Sequence, residues 1–266
     1  ICNNRDQRKI GVIETKSAYT GGINLADEYI NAVNLYGHWK DYGVKFTGEA
    51  VWSFTAAFLS VWEFSAHIKI PDYTIYKAET DPSKNGEGGY IIPFADSPFD
   101  GEIVSENVYM DIIDKASRYI YITTPYLILD TRTMGALTTA AKRGTDVRIM
   151  TPHIPDKKAV FQVTRSNYKK LIKSGVKIYE YTPGFLHAKS IIADDKVGIV
   201  GSINLDYRSL YLHCENGLLM FDVPAIKDIK ADNLKIMAVS EKISDTKTNI
   251  FTSLYRLVLN VFAPLM

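Results

Sequence analysis

Three residues in the second half of the chain have the types and spacing needed for chemistry at phosphorus. His187, Lys189 and Asp194 form the pattern His-x-Lys-x4-Asp, and the run Gly-Ser-Ile-Asn at 201–204 begins seven residues after the aspartate. Alternate residues of a strand share one face, so an extended run would place His187 and Lys189 side by side. An imidazole can attack phosphorus or protonate a leaving oxygen, and an ammonium can neutralise phosphoryl oxygens. Because an aspartate can orient and charge-balance an imidazole, the pattern predicts a phosphodiester site.

The same pattern occurs a second time, in altered form, near the start of the chain. Each residue of this first copy lies 180 positions before its counterpart: Lys9 and Lys189, Glu14 and Asp194, Gly21 and Gly201, Gly22 and Ser202, Asn24 and Asn204. In place of His187 the first copy has Gln7, whose amide neither titrates near neutral pH nor acts as a nucleophile. A repeat at this distance indicates duplicated half-domains rather than a solenoid. We expect both copies to face one cleft, with the first copy fit to bind phosphate but unfit to run the full reaction.

The elements that must position these residues predict an α/β fold of two half-domains, each a mixed β-sheet flanked by helices, packed with the active site at their interface. Residues 1–80 form the C-terminal part of the first half, and residues 81–100 form a linker whose start is polar and glycine-rich. Residues 101–266 form the second half, which ends in an apolar helix.

Hydrophobic periodicity gives the coarse path of the chain. The first half is expected to contain strands at 9–13 and 17–20, then a helix at 47–66 with most of its aromatic side chains in the core. In the second half, glycines just past the helix ends help to mark an alternation of helices and strands. The helices are predicted at 103–117, 131–143 and 158–173, and the strands at 119–124, 146–151 and 176–181.

Composition sets broad limits on the function. The 266 residues suffice for one large or two small domains, and the net charge of +1 gives no reason to expect a nucleic-acid groove. Cys2 and Cys214 cannot build a disulfide scaffold, which favours a reducing, cytoplasmic setting. The sequence contains no uninterrupted apolar run of about 18 residues that would predict a spanning helix. Because the chain begins with Ile1 and opens directly on a motif strand, we interpret it as a fragment.

With these motifs, the chain resembles the phospholipase D superfamily, and within it the bacterial cardiolipin synthases. The two motif copies, each followed by Gly-Ser/Gly-x-Asn, are the signature of that superfamily. The likeness extends over nearly the whole chain, including the terminal FAPLM. Other segments that look like those enzymes are GGINLADEY (21–29), GHWKDYGVKFTGEAV (37–51), TTPYLILD (123–130), GTDVRIMTP (144–152), GVKIYEYTPGFLHAK (175–189) and GSINLDYRS (201–209).

The resemblance implies a phosphatidyltransferase that moves a phosphatidyl group between two phosphatidylglycerol molecules and releases glycerol. One histidine would attack phosphorus to give a phosphohistidine, while a histidine across the cleft protonates the departing alcohol. No metal or other cofactor is expected, because the lysines and asparagines would neutralise the charge. Gln7 and the longer arm of Glu14 are expected to impair this reaction.

The residues predicted to form the site follow from the two motif copies. The catalytic group comprises His187, Lys189, Asp194, Lys9, Gln7 and Glu14. The phosphate-side group comprises Asn24, Ser202, Asn204 and Glu215; the resemblance implies that an acidic residue near position 215 supports the opposite histidine. Asp194 also fits a hairpin turn beside Asp195. His213 and Cys214 are adjacent residues and do not form a usual zinc set.

Three functions remain open on the sequence alone. The first is the transferase, active or weakly active, with a possible homodimer in which a second chain supplies its His187. The second is a relative that binds anionic phospholipid without turnover. The third, least favoured, is a phosphodiesterase or nuclease, because the balanced charge gives no reason to expect a nucleic-acid partner.

The C-terminal segment 250–266 bears on the membrane. Its few polar residues suit a helix that lies in a membrane interface, and burial in the core is the alternative. The resemblance places the protein at the bacterial cell membrane, with the catalytic part on the cytoplasmic side. It also implies that membrane-spanning helices preceded Ile1.

Overall fold

The computed structural model describes residues 4–80, 88–244, 246 and 248–265. The strands in this part of the chain are β1 (Gly11–Ile13), β2 (Ser17–Gly21), β3 (His38–Lys40), β4 (Gly43–Thr47), β5 (Tyr90–Asp96), β6 (Tyr119–Thr123), β7 (Asp146–Pro152), β8 (Lys177–Tyr181), β9 (Gly184–Leu186), β10 (Ser190–Ala193), β11 (Val197–Gly201), β12 (Glu215–Phe221) and β13 (Ser240–Ile243). The α-helices are α1 (Val51–Ala66), α2 (Val104–Lys115), α3 (Thr131–Lys142), α4 (Lys158–Lys173), α5 (Tyr207–Tyr211), α6 (Ala225–Ala238) and α7 (Ile250–Val261).

The largest layer is an eight-stranded mixed sheet in the order β13-β8-β7-β6-β10-β11-β12-β5. Strands β6, β7 and β8 are parallel, and the other pairings in this sheet are antiparallel. Parallel neighbours need a crossover connection, which α3 and α4 provide. The predicted alternation of helices and strands in the second half is therefore confirmed, with bounds that differ by one or two residues.

The first half contributes a three-stranded sheet, β1-β2-β4, that repeats the centre of the large sheet. Gly11 pairs with Tyr19 across β1 and β2, and Ile191 pairs with Ile199 across β10 and β11, so both partners shift by the same 180 positions. Further on, Gly21 pairs with Gly43 as Gly201 pairs with Gly217. The repeat found in the sequence is thus a repeat of strand pairing.

The core lies on both faces of the large sheet. On one face α2, α3 and α4 cover a cluster that includes Ile113, Ile122, Leu137 and Leu171. On the other face, residues of the first half pack directly against residues of the large sheet. The buried residues of this second cluster include Ala18, Tyr42, Phe46 and Phe54 from the first half and Ile192, Val200, Leu218 and Met220 from the second. Apolar burial between the sheets therefore fixes the two motif copies relative to each other.

Three expectations about local structure need correction. Residues 90–96 of the predicted linker form β5, which pairs with β12 at the edge of the large sheet; residues 81–87 lie outside the described residues. Helix α1 begins at Val51 rather than at residue 47, because the preceding residues pair as β4. Phe58 and Trp62 on α1 are 49% and 50% exposed, so these two aromatic side chains do not belong to the core.

Helix α7 has no buried residue, so the alternative that this segment is buried in the core is wrong for the helix; Ala263, just after it, is buried with Ile128 and Val163. Among the described residues, no helix has the length and apolar character needed to cross a membrane.

Candidate active site

His187 follows strand β9, and the pairing of that strand selects its partner. Strand β9 pairs in parallel with β3, and the backbone N–H of His187 donates to the carbonyl of Lys40, 2.8 Å away. Asp41 comes next in the chain, and its Oδ2 lies 2.7 Å from Nδ1 of His187. The first half of the molecule therefore supplies the carboxylate that orients the imidazole of the second half.

The electrostatics around His187 favour a neutral ring beside an ionised carboxylate. Burial, together with the nearby charge of Lys189, lowers the pKa of His187 below its usual range. Burial acts to raise the pKa of Asp41, but the hydrogen bond from His187 and the charge of Lys189 outweigh it, so that pKa is lowered. Since a carboxylate only accepts hydrogen bonds, Nδ1 carries the proton. The lone pair on Nε2 is then available as a nucleophile.

The two motif lysines have matching local geometry. The ammonium of Lys189 donates to the carbonyl of His187 at 2.5 Å, and that of Lys9 donates to the carbonyl of Gln7 at 2.8 Å. Burial lowers the pKa of Lys189 to about 7, against the opposing effect of Asp41. Burial also lowers the pKa of Lys9. Each ammonium is therefore held beside the first residue of its own motif copy, Lys9 beside Gln7 and Lys189 beside His187.

One cavity of about 520 Å³ joins the two copies. Its lining includes Gln7, Lys9 and Asn24 from the first copy and His187, Lys189, Ser202 and Asn204 from the second. The cationic side chains that line it are Arg5, Lys9, Lys157, Lys189 and Arg208, and the carboxylates are Asp156, Asp206 and Glu215. Cations outnumber carboxylates, so the cavity suits an anionic group such as a phosphodiester.

Glu215 is the counterpart of Asp41. Glu215 lies two residues before Gly217, which pairs with Gly201 at the end of the second motif hairpin. Asp41 lies two residues before Gly43, which pairs with Gly21 at the end of the first. The backbone N–H of Gln7 donates to the carbonyl of Cys214 at 2.9 Å, so residue 7 lies beside Glu215 as His187 lies beside Asp41. A histidine at position 7 would complete a second imidazole–carboxylate pair, and Gln7 leaves that pair incomplete.

The predicted role of Asp194 as the residue that orients His187 is wrong. Asp194 has a φ of 58° in the turn between β10 and β11, and its carboxylate accepts from the backbone N–H groups of Ser117, Arg118 and Tyr119 at 2.8–2.9 Å. Glu14 has a φ of 51° in the equivalent turn of the first copy and is highly exposed. Neither carboxylate lines the cavity, so the longer arm of Glu14 does not disturb the site. Asp194 is the turn residue that the sequence left as an alternative.

Ser202 is already committed within the protein. Its Oγ donates to Oε2 of Glu215 at 2.5 Å and accepts from the backbone N–H of Asn216 at 3.0 Å, which contradicts the prediction that it donates to phosphate. Glu215, an anion, does not bind phosphate oxygens either; it supports the cavity wall. Asn204 lines the cavity with a buried Oδ1 that has no hydrogen-bond partner, and Nδ2 of Asn24 donates to the hydroxyl of Tyr29 at 2.5 Å.

Sequence reasoning missed Asp41 and the aromatic wall around His187. Rings of Tyr29 and Trp39 lie with their centroids 5.2 Å from that of His187. A signal for Asp41 existed: Asp41-Tyr-Gly43 matches Glu215-Asn-Gly217, but at an offset of 174 rather than 180. Six extra residues in the first half hide this match from a search at constant spacing.

The structure shows no metal centre among the residues that it describes, since no three or more His, Cys, Asp or Glu side chains come together as possible ligands there. Cys214 is a free cysteine, and Cys2 lies outside the described residues.

Comparison with known proteins shows what the chain is similar to. A family model described as "Cardiolipin synthase, PLD-like domain" matches residues 109–236. Over 99% of the chain the sequence is 34% identical to a cardiolipin synthase of Clostridium perfringens, of which it covers 56%. It is 34% identical over 91% of the chain to a cardiolipin synthase of Alkalihalophilus pseudofirmus, of which it covers 48%. An uncharacterized protein of Streptococcus mutans is 48% identical over 99% of the chain, which covers 57% of that protein.

Solved structures share the fold. The crystal structure of phosphatidylserine synthase from Haemophilus influenzae matches with a TM-score of 0.71 at 18% identity, over 98% of this chain and 69% of that one. Nuc from Salmonella typhimurium, a phospholipase D family member, matches with a TM-score of 0.50 at 19% identity, over 59% of this chain and 99% of that one.

Residues 109–236 form a phospholipase-D-like domain of the kind found in cardiolipin synthases, and the sequence similarity to cardiolipin synthases extends over 91–99% of the chain. Its similarity is to the phospholipase-D-like part of cardiolipin synthases, and it spans about half the length of the curated relatives it matches. The predicted superfamily and fold class are confirmed.

Proposed function

We propose that this chain forms the catalytic part of a phosphatidyltransferase of cardiolipin synthase type, weakened by Gln7. The observation that carries the proposal is the shared cavity, in which a buried His187 held by Asp41 lies with the lysines of both motif copies. The similarity to cardiolipin synthases supports phosphatidylglycerol as both donor and acceptor.

In the proposed first step, Nε2 of His187 attacks the phosphorus of phosphatidylglycerol. A phosphorus–nitrogen bond forms, the bond to the glycerol oxygen breaks, and the departing oxygen takes a proton. The hydroxyl of a second phosphatidylglycerol then attacks phosphorus and gives up its proton, which replaces the one that glycerol took; the phosphorus–nitrogen bond breaks, and cardiolipin forms. Lys9 and Lys189 stabilise the phosphoryl oxygens throughout, and Asp41 stabilises the charge that develops on the ring.

Gln7 is the weak point of this reaction. An amide does not exchange protons near neutral pH, so it cannot protonate the departing glycerol oxygen or activate the incoming hydroxyl. Losing general acid–base assistance costs about 10²–10⁴-fold in rate. The same residue favours a second candidate, a relative that binds anionic phospholipid in this cavity without turnover.

A membrane surface is the proposed partner, because most apolar side chains of helix α7 are exposed. Leu259 packs against the cluster of Ile128 and Val163, and Arg256 and Asn260 contact Gln162 and Ser166 of α4 at 3.0 and 3.1 Å. Beyond the end of α7, Leu265 lines the catalytic cavity. An outward apolar face next to the cavity suits a helix that lies in the lipid interface. The exposed apolar residues are Ile250, Phe251, Leu254, Leu257, Val258, Val261 and Phe262. The cytoplasmic side and the possible homodimer remain predictions from the sequence.

The test is turnover of phosphatidylglycerol in vesicles, followed as release of glycerol and formation of cardiolipin. The proposal expects slow but measurable product that disappears in His187→Asn, whose amide cannot carry the phosphoryl group. Saturable vesicle binding with no product, unchanged by His187→Asn and by Gln7→His, would establish the binding relative instead. Binding of single-stranded DNA in preference to lipid would overturn both.

A further inference from the structure

A histidine outside both motif copies lies next to the position that Gln7 leaves incomplete. His213 is 9% exposed and lines the catalytic cavity together with Gln7 and Glu215. The chain around position 7 runs parallel to the segment after His213: the N–H of Cys214 donates to the carbonyl of Arg5, and the N–H of Gln7 donates to the carbonyl of Cys214, both at 2.9 Å. His213 is therefore a near neighbour of residue 7 through backbone pairing.

The hydrogen bonding of His213 is unfinished. Its Nδ1 lies 3.7 Å from Oε1 of Glu215, and its buried Nε2 has no hydrogen-bond partner. Buried polar groups are nearly always paired in folded proteins, so an unpaired ring nitrogen on a residue that lines the cavity points to a ligand or a reacting group. Oε2 of Glu215 is occupied by Ser202, which leaves Oε1 for an imidazole.

Comparison of Asp41 with Glu215 shows that Glu215 can orient an imidazole. Asp41 contacts Nδ1 of His187 at 2.7 Å and leaves Nε2 of that ring free. Glu215, its counterpart, has no imidazole at position 7 and instead faces Nδ1 of His213. We propose that His213, held by Glu215, is the second imidazole of this site and transfers the proton that Gln7 cannot. The inference rests on the proposed phosphatidyltransferase function.

The proton balance of the reaction assigns His213 two tasks. As His187 attacks phosphorus and the bond to glycerol breaks, the departing oxygen takes a proton from the ring of protonated His213. Neutral His213 then takes the proton of the acceptor hydroxyl while that oxygen attacks phosphorus and His187 leaves. The separation of 3.7 Å from Glu215, against 2.7 Å for Asp41 and His187, makes His213 a less well-oriented group, so the proposal expects slow turnover.

A four-variant cycle tests this assignment: the parent, His213→Asn, Gln7→His, and the double variant, each assayed for glycerol release from phosphatidylglycerol vesicles. In the parent background His213→Asn is expected to lower turnover at least tenfold. In the Gln7→His background, where residue 7 supplies the imidazole, the same change is expected to alter turnover less than about twofold. An active double variant also shows that the substitution leaves the fold intact.

His38→Asn is the matched control. His38 contacts the hydroxyl of Tyr181 through Nδ1 at 2.9 Å and does not line the cavity, so turnover should stay unchanged in both backgrounds. Equal losses from His213→Asn in both backgrounds, repeated with His213→Gln, would overturn the proposal by showing a structural role. Unchanged parent turnover would also overturn it. If only the Gln7→His protein is active, the role of His213 is overturned and the proposed phosphatidyltransferase function stands. If no variant turns over phosphatidylglycerol, the proposed function is overturned as well.

Discussion

At the scale of single residues, the site pairs a charged carboxylate, Asp41, with an uncharged imidazole, His187, within hydrogen-bonding distance. Asp41 is ionised and His187 neutral, because burial penalises charge on the ring while the carboxylate gains a hydrogen bond and the field of Lys189. A neutral ring with a fixed Nδ1 proton is ready to attack through Nε2. The same burial makes Lys189 easier to deprotonate than an ordinary lysine, which gives anion binding a pH dependence.

Sulfate binding should weaken as the pH rises through about 7, the lowered pKa of Lys189. An ammonium with a lowered pKa is charged below that value and loses its charge above it, so affinity should fall by up to tenfold per pH unit above it. Sulfate keeps a constant charge over this range, and His187 stays neutral. Isothermal titration calorimetry at several pH values between 6 and 9 measures the effect.

Lys189→Arg is the control for this prediction, because a guanidinium stays protonated over the whole range. Its sulfate affinity should vary less with pH than that of the parent. A parent affinity that is the same at pH 6 and pH 8.5 would contradict the lowered pKa of Lys189.

At the scale of elements, the third motif residue belongs to a turn. Asp194 and Asp195 have φ values of 58° and 63°, and Glu14 and Thr15 have values of 51° and 53° at the equivalent places. Two consecutive residues with positive φ are typical of tight hairpin turns, where aspartate is well tolerated. Asp194 additionally ties this turn to the start of β6 through Ser117, Arg118 and Tyr119. Its importance is therefore for folding.

Asp194→Ala should lower the free energy of unfolding by about 1–3 kcal/mol, because it removes the acceptor of several backbone N–H groups. Turnover per folded molecule should change little, since this carboxylate does not line the cavity. Glu14→Ala, in the exposed equivalent turn, should change stability by less than about 0.5 kcal/mol. Urea denaturation measures the stability of both variants. A large loss of turnover in an Asp194→Ala protein that remains folded would contradict this account and indicate a catalytic role for Asp194.

The sequence predicted elements whose pattern is local and missed those that depend on distant pairing. Helices α3 and α4 were predicted from periodicity and a following glycine, and His187, Lys189 and Lys9 were predicted to meet from a repeat of constant spacing. Strand β5 contains Pro93, which argues against a central strand, and it is tolerated because β5 is an edge strand. Asp41 could not be assigned to His187, because the pairing of β3 with β9 joins residues 146 positions apart.

At the scale of the whole molecule, packing between the sheets of the two halves creates the cavity. Side chains of β2 and β4 pack against those of β11 and β12, and this contact fixes the distance between the motif copies. Leu265, four residues after the end of α7, lines this cavity. A membrane bound through α7 would bring lipid headgroups close to His187.

Leu254→Glu combined with Val258→Glu should weaken binding to phosphatidylglycerol vesicles at least tenfold. These side chains are 61% and 51% exposed, so the change should leave the fold intact. Burying an aliphatic side chain in the lipid contributes about 1.5–3 kcal/mol, and 1.4 kcal/mol is a factor of ten in binding. Vesicle co-sedimentation gives the measurement. Ser253→Glu, an exposed polar position of the same helix, controls for the added charge, and equal binding by both variants would contradict a membrane role for α7.

The central claim is that two distant motif copies enclose one phosphoryl site in which an imidazole is missing at position 7. Turnover of phosphatidylglycerol by Gln7→His, compared directly with the parent, tests it. The new imidazole would lie beside Glu215 as His187 lies beside Asp41, and His213 already supplies part of the proton transfer, so cardiolipin formation should rise by about 10–10³-fold without any change at Glu14. A Gln7→His protein that folds, binds the vesicles and turns over no faster than the parent would contradict the claim.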